Sequence, residues 1–270
     1  MKKANKIVAV VIAALLVVAA LVVLTACGKT YTGEAKYTNK YGTYGVKVDV
    51  AVKGDTITAV TLYSEEDTGW VRTTASWNKH DETEAAYDKW LDDTFVGANI
   101  ADVLGWSASA TENGQTVGAG VEHMAGATQS SARIICAVQN ALEQIEGITK
   151  VTGGCSYTTQ YGTYGAKVNV YLRDGKVLAV KLLQEDETGW TRTTASWTHH
   201  DATEEAYAAW IKSTFVGKTV EEINAYVATA TAEGQTLGEG TPTIQLTGAT
   251  AKQSAARIIV AVQDALKNVK

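Results

Sequence analysis

The chain has 270 residues, of which 46% are hydrophobic and 20% are charged, and its formal net charge is −5. This acidic balance argues against a nucleic-acid partner and against a polybasic membrane-binding patch, since both need a local excess of lysine and arginine. There are three cysteines and four histidines. They form no CxxC, HExxH or Cys/His cluster, so the sequence gives no support for a metal site.

The N-terminal segment has the pattern of a secretory signal, with a lysine-rich start followed by an apolar run at residues 7–24. The sequence Leu-Thr-Ala-Cys at 24–27 resembles the lipobox of bacterial lipoproteins. That resemblance implies removal of residues 1–26 and lipidation of Cys27. An uncleaved membrane helix is the alternative, because the run is near the shortest length that spans a bilayer. Either way, we expect the remaining chain on the extracytoplasmic face, anchored to the cell membrane by lipid or helix.

Removal of residues 1–26 takes away three lysines and leaves 21 basic and 29 acidic residues, a net charge of −8. Such a charge suits a soluble surface domain on a tether. The remaining length of about 240 residues could form one large domain or two of ordinary size.

An internal repeat favours two domains. The sequence Tyr-Gly-Thr-Tyr-Gly at 41–45 returns at 161–165, and the ten residues at 68–77 return nearly unchanged at 188–197, an offset of 120. A period of this length fits tandem domains rather than a solenoid. We therefore predict domains at 27–150 and 151–270, with the boundary near residues 148–154, where glycines cluster.

Within each unit, strands come first and helices follow. Valines at 46, 48, 50 and 52 alternate with other residues and predict a strand with one buried face, whose partner lies at 57–62. Asp174-Gly175 predicts the equivalent hairpin turn in the second unit. Capping-box spacing at 81–84 and 201–204 predicts the start of a helix in each unit.

A short helix is expected next, at 100–104 and at 220–223, and brief strands are expected around Val117 and Leu237. The predicted fold class is α+β: two tandem repeats, each an antiparallel sheet with packed helices and a C-terminal amphipathic helix.

Each amphipathic helix follows a Gly-Ala-Thr sequence, Gly126-Ala127-Thr128 in one unit and Gly248-Ala249-Thr250 in the other. Apolar residues then recur at the spacing of one buried helix face. Free backbone N–H groups and the helix dipole favour a phosphate at such a helix start. The alternative is that Thr128 and Thr250 merely cap their helices.

Residues 125–131 and 247–250 resemble the flavin-attachment motif of the FMN-binding domain family. The resemblance implies covalent FMN, up to two per chain, joined through a phosphoester to Thr128 and Thr250 by a separate flavin transferase. The first copy has Ala125 where the family usually has Ser or Thr. The second copy has Ile244 where the family tends to have an acidic residue, a place that Glu122 fills in the first.

The isoalloxazine ring of a flavin needs a flat apolar wall and a few polar contacts. Residues 69–81 and 189–201 offer candidates. Trp70 and Trp190 could stack on the ring, and Arg72 and Arg192 could pair with the phosphate or with a reduced flavin. The alternative is that these four are ordinary structural residues that reflect a recent duplication.

Cys136 lies in the first amphipathic helix, where the second copy has Val260, so it is expected to be a small core residue. A disulfide between Cys136 and Cys155 is the alternative in an oxidising compartment.

No catalytic residue is evident, and the chain has neither G-x-G-x-x-G nor C-x-x-C-H. The simplest hypothesis is an electron carrier rather than a self-contained enzyme. The resemblance implies extracellular electron transfer, from a membrane NADH dehydrogenase or quinol-oxidising partner to extracellular acceptors. The alternatives are a lipoprotein that binds a small molecule without flavin, and a structural surface protein.

Overall fold

The computed structural model describes residues 28–40, 42–63, 84–118, 120–160, 162–183, 204–246, 249–267 and 269. The signal segment with Cys27 lies outside these ranges, and so do Trp70, Trp190, Arg72, Arg192 and Gly248. In the described ranges, none of the helices combines the length and the hydropathy that crossing a bilayer requires.

Two three-stranded antiparallel sheets form the framework. The first contains β1 (Lys29–Asn39), β2 (Gly42–Lys53) and β3 (Thr56–Leu62), and the second contains β6 (Thr149–Thr159), β7 (Gly162–Arg173) and β8 (Lys176–Leu182). In both sheets the long middle strand pairs with the other two. The predicted alternation in β2 is confirmed, since Val48 and Val50 are fully buried.

The described helices are α1 (Glu84–Phe95), α2 (Ile100–Gly105), α3 (Thr128–Leu142), α4 (Glu204–Phe215), α5 (Val220–Asn224) and α6 (Lys252–Leu266). Small hairpins precede α3 and α6: β4 (Ala108–Thr111) with β5 (Gly114–Val117), β9 (Ala228–Ala230) with β10 (Gln235–Leu237), and β11 (Ile244–Leu246) with β12 (Ala249–Ala251). The predicted α+β fold class is confirmed. The predicted short helices and the brief strands around Val117 and Leu237 are also present.

Helix α3 packs across β1 and β2, and α6 packs across β6 and β7. Glycine makes this approach possible. A Cβ atom on Gly33 would collide with the backbone of Ala137 and Ala141, and one on Gly153 would collide with that of Ala261 and Ala265. Gly153 and Gly154 therefore belong to strand β6, and Gly153 is the one that lets α6 approach closely. The domain boundary placed there stays a prediction.

The outer face of the second sheet contacts the first half of the chain. Tyr171 and Ala179 belong to the hydrophobic core of that half. Arg173 pairs bidentately with Asp55, with both N–O distances at 2.7 Å. The nearly buried Lys181 donates to Gln139 Oε1 at 3.2 Å. The two halves therefore share an interface in which residues of the second sheet join the hydrophobic core of the first half and polar contacts are added.

Candidate functional site

The first Gly-Ala-Thr turns the chain into α3. Gly126 has a φ of +81°, a region that disfavours side chains, and a Cβ atom there would meet no other atom within 4 Å. Ala127 is fully buried and is the N-cap residue of α3, while Thr128 is the first helical residue and is exposed. The threonine hydroxyl therefore lies at an open surface where a helix begins.

Capping is not the role of this threonine, so that alternative is wrong for the first site. The cap position belongs to Ala127, which has no side chain able to cap. The amide N–H groups of the first turn have no acceptor inside a helix, and they add to the positive end of the helix dipole. Ser131 holds the preceding loop, because its hydroxyl accepts from the Met124 amide at 3.0 Å.

The second site differs in one respect from the predicted arrangement. Thr250 is exposed, but it lies in strand β12 opposite Gln245, and α6 begins only at Lys252. Its N-cap residue is the fully buried Ala251. The prediction that each Gly-Ala-Thr leads directly into its helix therefore holds for Thr128, whereas Thr250 precedes its helix by two residues. Residues inserted after the second motif separate Thr250 from the helix, and Thr250 is no cap either.

A buried arginine lies over the first turn of each helix. Arg133 Nη2 donates to Ser130 Oγ at 2.8 Å, and Arg257 Nη2 donates to Ser254 Oγ at 3.1 Å. Helical side chains tilt toward the N-terminus, so each guanidinium group adds positive charge to the helix start. The Nε atom of Arg257 is buried without a hydrogen-bond partner in the described part of the chain.

These arginines were not predicted as site residues. A signal for them did exist, since Arg-Ile-Ile occurs at the same place in both helices, at 133–135 and 257–259. An arginine buried at that point is unusual, because a charged side chain on the inner face of a helix loses its hydration. Its presence in both halves marks the helix start as electropositive.

Each three-stranded sheet has a stacked pair of tyrosines, and the two pairs lie at equivalent positions in the register. The rings of Tyr37 and Tyr44 are 5.6 Å apart and inclined by 19°, and those of Tyr157 and Tyr164 are 6.0 Å apart and inclined by 25°. Burial raises the pKa of Tyr37, and the positive charge of Arg133 opposes that rise. The Arg133 side chain, which lies over the helix start, is therefore near enough to Tyr37 for its charge to act on the tyrosine.

Of the other predicted residues, Ala249 lies in β12, where the structure describes its backbone. The four tryptophan and arginine candidates at 70, 72, 190 and 192 lie outside the described residues and stay predictions. Cys136 and Cys155 do not form a disulfide, so the alternative of a bond between them is wrong. The Cys155 thiol instead donates to the Arg257 carbonyl oxygen at 3.3 Å. Within the described ranges, no group of three or more potential ligands could hold a metal ion.

Comparison with known proteins gives one match. The family model of the FMN-binding domain matches residues 41–143, a range that includes the first Gly-Ala-Thr and all of α3. No curated protein and no solved structure gives a significant match. The resemblance expected from the motif is thus confirmed: over residues 41–143 this chain matches the FMN-binding domain family, which supports a flavin-binding protein with FMN as its cofactor.

Proposed function

We propose that this protein is a membrane-anchored, extracytoplasmic electron carrier that holds FMN on Thr128 and Thr250 through phosphoester bonds. One observation carries the proposal. Thr128 is exposed at the start of its helix and Thr250 just before its own, and in each helix the side chain of a buried arginine reaches back over the first turn. An exposed hydroxyl is accessible to a modifying flavin transferase, and the electropositive helix start stabilises the negative charge of the phosphate.

The residues of the first site fit a phosphate well. At Thr128 the ester oxygen would belong to the first helical residue, at the positive end of the helix dipole. Arg133, whose guanidinium lies over the same turn, adds a full positive charge. At Thr250 the helix starts two residues later, so fewer amides face the phosphate. We therefore expect more complete flavin attachment at Thr128 than at Thr250.

A covalent bond suits a protein outside the cytoplasm, because a dissociated cofactor would be lost there. Bound flavin supplies one- and two-electron redox chemistry. The chain's part is to hold the phosphate and to leave the cofactor accessible to partner proteins. We propose a membrane NADH dehydrogenase or quinol-oxidising enzyme as the electron donor and extracellular compounds as acceptors. Cys27, lipidated after removal of residues 1–26, would anchor the protein to the membrane.

Intact-mass analysis of protein coexpressed with a flavin transferase tests this proposal. We expect a mass gain of one FMN less one water for each occupied site. Thr128→Ala and Thr250→Ala should each remove one such gain. Thr116→Ala and Thr236→Ala are matched controls, because both threonines are exposed and lie outside the motifs, and neither change should alter the mass gain. Unmodified wild-type protein would refute the proposal. It would favour the two alternatives that involve no flavin, a lipoprotein that binds another small molecule or a structural surface protein.

A further inference from the structure

The inner face of each sheet continues past the start of the helix that covers it. In the first sheet this face contains Val46 and Val48, which lie under α3, followed by the opposed pair Tyr37 and Tyr44. Helix α3 runs antiparallel to β1. Its C-terminal part contacts the start of β1, where Gln144 Nε2 donates to the Thr32 carbonyl oxygen at 2.7 Å. Its N-terminus therefore points toward the tyrosines.

The second sheet repeats this arrangement. Tyr157 and Tyr164 oppose each other at the same place in the register, and Arg257 lies beside Tyr157. The Gly154 amide donates to Asp264 Oδ2 at 3.1 Å, so α6 also runs antiparallel to the first strand of its sheet. Two aromatic pairs at equivalent places, each beside a helix start with a buried arginine, indicate a shared role.

An unpartnered polar atom lies at the first of these places. Tyr44 is only 5% exposed, and its hydroxyl oxygen is buried without a hydrogen-bond partner among the described residues. Buried tyrosine hydroxyls normally have a partner, because a buried polar group without one is destabilising. A bound polar group would supply that partner. The ring system of a flavin carries carbonyl oxygens and ring nitrogens that accept hydrogen bonds.

We propose that Tyr37 with Tyr44, and Tyr157 with Tyr164, form the platforms that hold the isoalloxazine rings of the attached flavins. This inference rests on the proposed function, since the phosphate end of each flavin must be fixed at Thr128 or Thr250. Arg133 follows Thr128 by five residues, which is about 7.5 Å along a helix, and its charge acts on Tyr37, toward which the helix N-terminus points. The five-carbon ribityl chain of FMN is long enough to cover that distance.

The platform explains how a carrier could hold its flavin and still exchange electrons. Tyr44 is buried and supports the stack from the sheet, whereas Tyr37 is about half-buried and offers an accessible surface. A ring that rests on Tyr37 gains stacking contact on one side. Its other parts stay open to a partner protein, because no deep pocket is needed when the phosphate is covalently fixed.

Flavin fluorescence tests the platform. The fluorescence of an excited flavin is quenched when a tyrosine in contact with it donates an electron. The electron returns to the tyrosine at once, so neither group is changed chemically. Phenylalanine stacks as well as tyrosine but donates electrons poorly. In Thr250→Ala protein, which carries a flavin only at Thr128, we expect Tyr37→Phe to lengthen the fluorescence lifetime of the attached flavin about twofold. Because the aromatic ring is kept, this change should leave the fold intact.

Tyr31→Phe is the matched control. Tyr31 lies on the same strand and the same face, six residues or about 20 Å from Tyr37, and it should not affect the lifetime. Attached flavin with an unchanged lifetime in the Tyr37→Phe, Tyr44→Phe double variant would overturn the platform alone. Wild-type protein without any FMN mass gain would overturn the proposed function, and the platform with it.

Discussion

The contact between α3 and β1 depends on the absence of a single methyl group. At Gly33, a Cβ atom would lie far inside van der Waals distance of the Ala137 carbonyl oxygen and the Ala141 amide nitrogen. These are backbone atoms of a helix, so they cannot rotate away as the tip of a side chain could. Gly33→Ala therefore forces α3 off the sheet or distorts β1.

The cost of this substitution can be estimated from the packing. Overpacking of a well-packed core usually costs about 1–3 kcal/mol, and a clash with helix backbone belongs at the upper end, about 3 kcal/mol. If the described halves unfold together, each kcal/mol lowers the Tm by about 2–4 °C in a protein of this size. We therefore expect Gly33→Ala to lower the Tm by about 6–12 °C.

Thermal unfolding followed by circular dichroism measures this change. Gly105→Ala is the matched control, because a Cβ atom there would be at 3.7 Å from its nearest neighbour, an ordinary contact distance. Gly153→Ala should behave like Gly33→Ala, since the same clash with α6 occurs in the second half. A Tm for Gly33→Ala equal to that of Gly105→Ala would show that the close helix–strand contact is not as described.

Three further changes test the interface and the anchor. Tyr171→Phe removes the 2.8 Å hydrogen bond from a buried hydroxyl to Glu143, and chemical denaturation should show a loss of about 2 kcal/mol in the free energy of unfolding. A loss near zero would contradict that bond. The Arg173 guanidinium lowers the pKa of Asp55. Their ion pair therefore stabilises the fold fully above the ordinary pKa of aspartate, and this stabilisation is lost as the pH falls through the lowered pKa of Asp55. Asp55→Asn should reduce the loss of unfolding free energy at acidic pH by no more than about 1 kcal/mol, because the carboxylate is partly exposed. An unchanged dependence of the unfolding free energy on pH would argue against the ion pair. Intact-mass analysis of membrane-extracted wild-type protein should show a chain that begins at Cys27 and carries lipid, and Cys27→Ser should remove the lipid mass; a wild-type chain that still carries residues 1–26 would favour the uncleaved helix instead.

Much of the framework follows from local patterns. Burial of one face is indicated by the alternating valines of β2 and by the helical spacing of apolar residues in α3 and α6. Any strand or helix that packs against a core shows such a pattern. The Gly-Ala-Thr motif and the 120-residue repeat likewise need no structure to be seen. Strand β1 was not predicted, because its sequence is mostly polar and its inner face contains tyrosine, alanine and one glycine rather than large aliphatic residues.

The arrangement of the site depended on contacts between distant parts of the chain. Strand register decides that Tyr37 lies opposite Tyr44, and the direction of α3 decides that Arg133 comes to lie beside them. Register and helix direction are set by packing across the whole core, so a single segment cannot reveal them.

The sequence by itself determined that this protein contains a strand with one buried face, two amphipathic helices and a repeated flavin-type motif, since each is written in neighbouring residues. Only the tertiary structure decided that Thr128 begins a helix while Thr250 precedes one, and that Tyr171 of the second sheet enters the core of the first half. The physical reason is that helix starts and interfaces depend on which distant groups satisfy the backbone and cover the apolar surface.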